Sequence, residues 1–154
     1  QFIGAAYKDG YACLDTYGLW DADAAVDTAV YPGDGQMDIP TTLDTSISPL
    51  SPVPADWQGA SGTVVSISLP PTATLSADAS IEMLSTVSGA LVEGIVRNPT
   101  DVDDPYANLL GSTVAFVPRV PLAPNTTYRV EFTGTVDSEE TNKIWQFTTA
   151  DTED

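Results

Sequence analysis

Leu122-Ala-Pro-Asn-Thr-Thr-Tyr128, with the runs Thr127–Val136 and Lys143–Thr149 that follow it, is the stretch whose reading decides the fold. From Thr127 the residues alternate: Tyr128, Val130, Phe132, Gly134 and Val136, with Thr127, Arg129, Glu131, Thr133 and Thr135 between them. A period of two marks a half-buried strand, with the first set against a core and the second in water. A Tyr at the mouth of such a strand can turn its hydroxyl back onto upstream backbone, the tyrosine corner of two-layer β-sandwiches. Tyr128 and Pro124 are therefore expected to be structural. The last run puts Trp145, Phe147 and Thr149 on one face and Ile144, Gln146 and Thr148 on the other. Trp145 and Phe147 are expected in the core.

Upstream of the corner the same pattern recurs. Thr63–Leu69 reads as a strand with Val65, Ile67 and Leu69 inward, stopped by Pro70-Pro71. Further strands are expected near Ser80–Val87, Ala90–Val96 and Ser112–Val117, the last with Val114 and Phe116 facing the core. Their β-branched content and intervening glycines favour hairpins over helix, and no helical stretch of convincing length occurs. Tyr31–Pro40 begins the main domain, and its prolines limit any strand there to an edge. Residues 41–62 are rich in Ser, Thr, Pro, Asp and Gly and read as a surface excursion. Trp57 within it is either a lid over the core edge or an exposed platform for a ligand.

At the N-terminus, residues 2–17 read as a hairpin turned at Lys8-Asp9-Gly10. Tyr11, Cys13 and Tyr17 share one face of its second run and Ala12 and Leu14 the other, so both faces are partly apolar. Two strands alone are marginal in water. The pair must pack on the main domain or on a partner, which makes Tyr11 and Tyr17 candidate interaction residues. The expected organisation is an N-terminal hairpin over 1–20, an acidic connector over 21–30, a sandwich over 31–150 and a tail over 151–154. The expected fold class is all-β, an antiparallel sandwich of immunoglobulin or fibronectin type III type with an extra N-terminal β-hairpin.

Composition narrows the function classes. Five bases (Lys8, Arg97, Arg119, Arg129 and Lys143) face 22 acids, for a net charge of −17. Such a surface repels phosphate backbones and anionic membranes, which argues against nucleic-acid binding. No apolar run approaches the roughly 20 residues of a membrane helix, so no membrane insertion is expected. The chain opens at Gln1 with no signal-peptide pattern and reads as a mature form or an excised piece. There is no His, which removes the usual general base near neutral pH, the Ser–His–Asp triad and His-ligated zinc. The single Cys13 excludes an internal disulfide. Gly33-Asp-Gly35 is too short and acidic to cradle phosphate. No catalytic residue and no cofactor is expected, and the chain is read as a non-enzyme.

One cation site is worth weighing. Asp101, Asp103 and Asp104 sit in the loop Asn98–Pro105, where alternate carboxylates could offer hard oxygen ligands to calcium; the bland alternative is an ordinary acidic loop. Asp21, Asp23 and Asp27 lack the glycine and closing Glu of an EF-hand loop and read as a connector.

Three motifs from Tyr31 onward carry a family resemblance: Tyr31-Pro-Gly-Asp-Gly-Gln with Ile39-Pro40, Leu122–Tyr128, and Trp145-Gln-Phe-Thr-Thr149. They resemble the Ig-like module that follows the CAP domain (the cysteine-rich secretory and pathogenesis-related superfamily) in secreted bacterial proteins. Thr133-Gly-Thr-Val-Asp137 also looks like bacterial Ig-like surface families. Residues 3–17 are similar to the closing hairpin of a CAP domain. The resemblance implies a secreted or surface-exposed accessory or spacer module that contacts a protein partner or neighbouring domain. It carries over no catalytic site, because the family's cleft histidines have no counterpart here. Two other roles are read beside it: a filament or surface-assembly subunit joined by strand donation, and a calcium-dependent adhesion module.

Overall fold

The computed structural model describes residues 4–8, 11–15, 28–43, 53–54, 56–105 and 107–151. Its strands are β1 (Gly4–Lys8), β2 (Tyr11–Asp15), β3 (Ala29–Tyr31), β4 (Gln36–Ile39), β5 (Val65–Ser68), β6 (Ser80–Ser85) and β7 (Gly94–Arg97). After one helical turn, α1 (Ala107–Leu110), come β8 (Thr113–Pro118), β9 (Thr127–Val136) and β10 (Glu139–Thr149). β1 and β2 pair antiparallel from Gly4↔Asp15 to Lys8↔Tyr11. The other strands form two four-stranded sheets, ordered β4-β10-β9-β6 and β3-β5-β8-β7. The expected Ig-like β-sandwich is borne out.

Alternation builds the core. Along β9, Tyr128, Val130 and Phe132 are buried while Arg129 and Glu131 between them are half-exposed. Val65 and Ile67 of β5, Ile81 and Met83 of β6, Val114 and Phe116 of β8, and Trp145 and Phe147 of β10 meet them between the sheets. The Tyr128 and Phe147 rings stack with centroids 5.7 Å apart. Gly134, on the same inward face, is required by close approach: a Cβ there would lie 2.8 Å from the Ala79 Cβ.

Three details depart from the sequence reading, each because tertiary pairing outweighs local pattern. β10 starts at Glu139 rather than Lys143: a two-residue turn, with Asp137 and Ser138 both at positive φ, zips Glu139-Glu-Thr-Asn142 onto β9 although that run has no apolar residue. β8 does not alternate, since Val114 through Pro118 are all buried. It is a central strand covered on both faces. The sandwich also takes in Ala29 and Val30, because β3 pairs antiparallel with β5 from Ala29↔Ser68 to Tyr31↔Ser66. β3 and β4 are both edge strands, as the prolines require.

The corner locks the ends of this frame together. The Ala123 N–H donates to the Tyr128 hydroxyl at 2.9 Å. Thr149, 2% exposed, accepts from the Thr126 N–H at 2.9 Å and donates to the Ala123 carbonyl at 2.7 Å. Asn125 takes the left-handed conformation (φ 44°) that the turn needs, and its N–H donates to the Ala150 carbonyl. Pro124 is exposed, and its carbonyl accepts from the Thr126 hydroxyl. Tyr128→Phe keeps the ring stack but strands the Ala123 N–H. A loss of about 1–2 kcal/mol in urea unfolding is expected, and a change within error would show that water takes over the bond.

Candidate interaction surface

The candidate residues of the sequence do not converge. Tyr128, Trp145 and Phe147 lie in the core; the Tyr11 side chain and Tyr17 lie outside the described residues, as do residues 21–27 of the connector. Trp57 is half-buried, with the Arg119 guanidinium carbon 4.8 Å from its ring centroid. That cation–π contact occupies one ring face and ties the excursion to the end of β8.

The acidic loop is organised by its own bonds. Asp104 holds Arg97 at 2.8 Å with only 4% of its side chain exposed, so its carboxylate neutralises the guanidinium. Asp101 accepts from the Asp103 N–H at 3.0 Å in a turn of Asx type. Among the described residues no group of three His, Cys, Asp or Glu gathers in a way that could hold a metal ion.

What the sequence reading missed lies on β10. Gln146 points its N–H and C=O toward β4: the C=O accepts from the Gly35 N–H at 2.7 Å and the N–H donates to Asp34 Oδ1 at 3.0 Å. β4 runs parallel to β10 from Gln36↔Phe147 to Thr149↔Ile39 and reaches no farther back. Period two then sends the backbone groups of Ile144, Asn142 and Glu140 out along the same edge. No strand among the described residues meets them.

Other edges are better covered. β6 is met by 90–92, through Ser85 N–H to Ala90 and Val92 N–H to Met83. The far end of β9 is met by Ser76, whose N–H donates to the Thr135 carbonyl at 2.9 Å.

The open edge adjoins a cleft of about 490 Å³ lined by Asp78, Thr133, Gly134, Thr135, Glu140, Thr141 and Asn142. Ile144 on the edge and Met37 on β4 are exposed at 45% and 61%. Glu139, Glu140, Asp78 and Asp34 outnumber Lys143 around them. Unpaired donors and acceptors in a row, apolar side chains beside them and excess negative charge suit an extended, cation-bearing segment adding as a strand. Nothing in Glu139–Lys143 itself signals a strand, since the run carries no apolar residue.

Among the described residues no helix is long and apolar enough to cross a membrane. Comparison with known families matches residues 60–149, the span from before β5 to the end of β10, to a model described as a bacterial Ig-like domain. Comparison with curated proteins finds no match.

Proposed function

The chain belongs to the bacterial Ig-like domain family, and from that premise we propose that it is a non-catalytic accessory or interaction module of a secreted or surface protein, engaging its partner through the open edge of β10. One observation carries this reading: the backbone of Glu140, Asn142 and Ile144, which no strand among the described residues meets, beside an acidic cleft. Sheet edges recognise extended segments with main-chain bonds, and flanking side chains select among them. The hairpin β1–β2 fits the end of a preceding domain, in keeping with its likeness to the last strands of a CAP domain.

Strand donation between copies draws less support, because β1 is already paired with β2 along its length. Calcium-dependent adhesion would have to manage without the Asp104 carboxylate, which Arg97 holds.

The test is Asn142→Pro, which removes an outward N–H without touching the ladder to β9. Cross-linking to envelope proteins of the source cells should lose its specific adduct in this variant, while thermal unfolding stays within about 1 kcal/mol of the parent. An adduct unchanged by Asn142→Pro would rule out the β10 edge.

A further inference from the structure

The two outer faces of the sandwich differ in kind. Beyond β6, β9 and β10 the outward positions carry Glu82, Arg129, Glu131, Glu140, Asn142 and Gln146, as a wet surface should. Beyond β3, β5 and β8 they are Ala29, Tyr31, Ser66, Ser68, Thr113, Ala115 and Val117, with no charge among them in a chain of net charge −17; the charge on this face sits on β7, where Arg97 stands opposite Ala115 and pairs with Asp104. Ala29 and Ala115 are 7% and 6% exposed, yet neither belongs to the core between the sheets. The hydroxyls of Ser68 and Thr113 satisfy each other at 2.8 Å, so this part of the face does not depend on water. A cavity of about 340 Å³ lies over the same strands, lined by Ala29, Tyr31, Ser66, Ser68 and Thr113. β3, whose residues line this cavity, has the Cα trace of β1 within 8 Å of it.

We propose that the uncharged β3–β5 side of this face is the seat of the chain's own N-terminal hairpin, so that β1–β2 and the sandwich move as one unit. The proposal is independent of the β10 edge. Small side chains on the floor let a second backbone layer come close, as between packed sheets. The hairpin supplies the matching need: Ala5, Tyr7, Ala12 and Leu14 occupy one set of register positions and Ala6 and Cys13 the other. A two-stranded ribbon with apolar residues on both sides is marginal unless one side is covered.

Cys13 is the chain's single thiol, which makes the test direct. Ser68→Cys in the full chain is treated with a short bis-maleimide and compared with Gln146→Cys, on the outer face of the opposite sheet. A seated hairpin holds the two thiols at high effective concentration, so the cross-link within one chain should exceed the control by about tenfold. Adding Ser66→Glu, a charge at a half-buried position of the floor, should bring the yield down to the control while the near-ultraviolet signal of the core aromatics persists. Equal yields for Ser68→Cys and Gln146→Cys would overturn the proposal. So would cross-links formed only between copies, or a yield indifferent to Ser66→Glu in a folded protein.

Discussion

Phe132→Ala is expected to cost about 3–5 kcal/mol, the range for emptying a fully buried aromatic site. Phe132 has no exposed surface and sits mid-strand on β9, flanked in register by Ile81 of β6 and Lys143 of β10. Its ring reaches over Gly134, where a Cβ would come within 3.2 Å of its Cζ. A side chain at Gly134 could not grow into the gap, because its Cβ would already meet the Ala79 Cβ at 2.8 Å. Refilling would require β6 and β9 to close together, against a ladder that runs from Ser80↔Thr133 to Ser85↔Tyr128. The measurement is urea unfolding with m held constant, which would show a large fall in midpoint. Thr133→Ala, one residue on and exposed, should move the midpoint by no more than about 0.5 kcal/mol. Similar costs for the two would mean that β9 is out of register with the core.

The contrast between those neighbours also shows how much of this protein could be read in advance. Where a strand buries one face, the pattern is written in the chain: Tyr128 to Phe132, Val65 to Leu69 and Trp145 to Thr149 each declare their inward residues. Where burial or pairing comes from distant parts of the chain, it is not. Val114-Ala-Phe-Val-Pro118 hides its alternation because both faces of β8 are covered. The union of β4 with β10 joins Gln36 to Phe147, and nothing local in either segment signals a partner so far along the chain. The candidate surface follows the same rule. Glu139–Asn142 has no apolar residue, so its strand exists only because β9 templates it. An edge created that way is invisible until the ladder is drawn. Asp104 looked like a cation ligand for a related reason: its partner Arg97 lies across a loop, seven residues back.

The same loop carries the second large effect. Asn98→Ala is expected to cost about 2–4 kcal/mol, more than a polar residue beside a surface loop ordinarily does. Asn98 is 6% exposed. Its side-chain amide donates to the carbonyls of Ser76, Ala77 and Ala79 at 3.2, 3.3 and 3.2 Å. Its Oδ1 accepts from the N–H and the hydroxyl of Thr100 at 2.9 and 2.8 Å. One side chain thus ties the segment entering β6, in one sheet, to the loop leaving β7, in the other. Asn-Pro-Thr was a legible hint, since Asn readily bonds backbone two residues on, but the three carbonyls on the far side were not. Alanine would leave those carbonyls without their donor, and the Ala79 carbonyl is buried where water cannot replace it. Asn98→Asp should be worse than alanine despite its closer shape, because it removes the donor and turns a carboxylate toward the three carbonyl oxygens. Denaturant unfolding of the two variants decides the matter: an aspartate more stable than the alanine near neutral pH would mean that the amide is not oriented as a donor to β6, and the link between the sheets would have to be sought elsewhere.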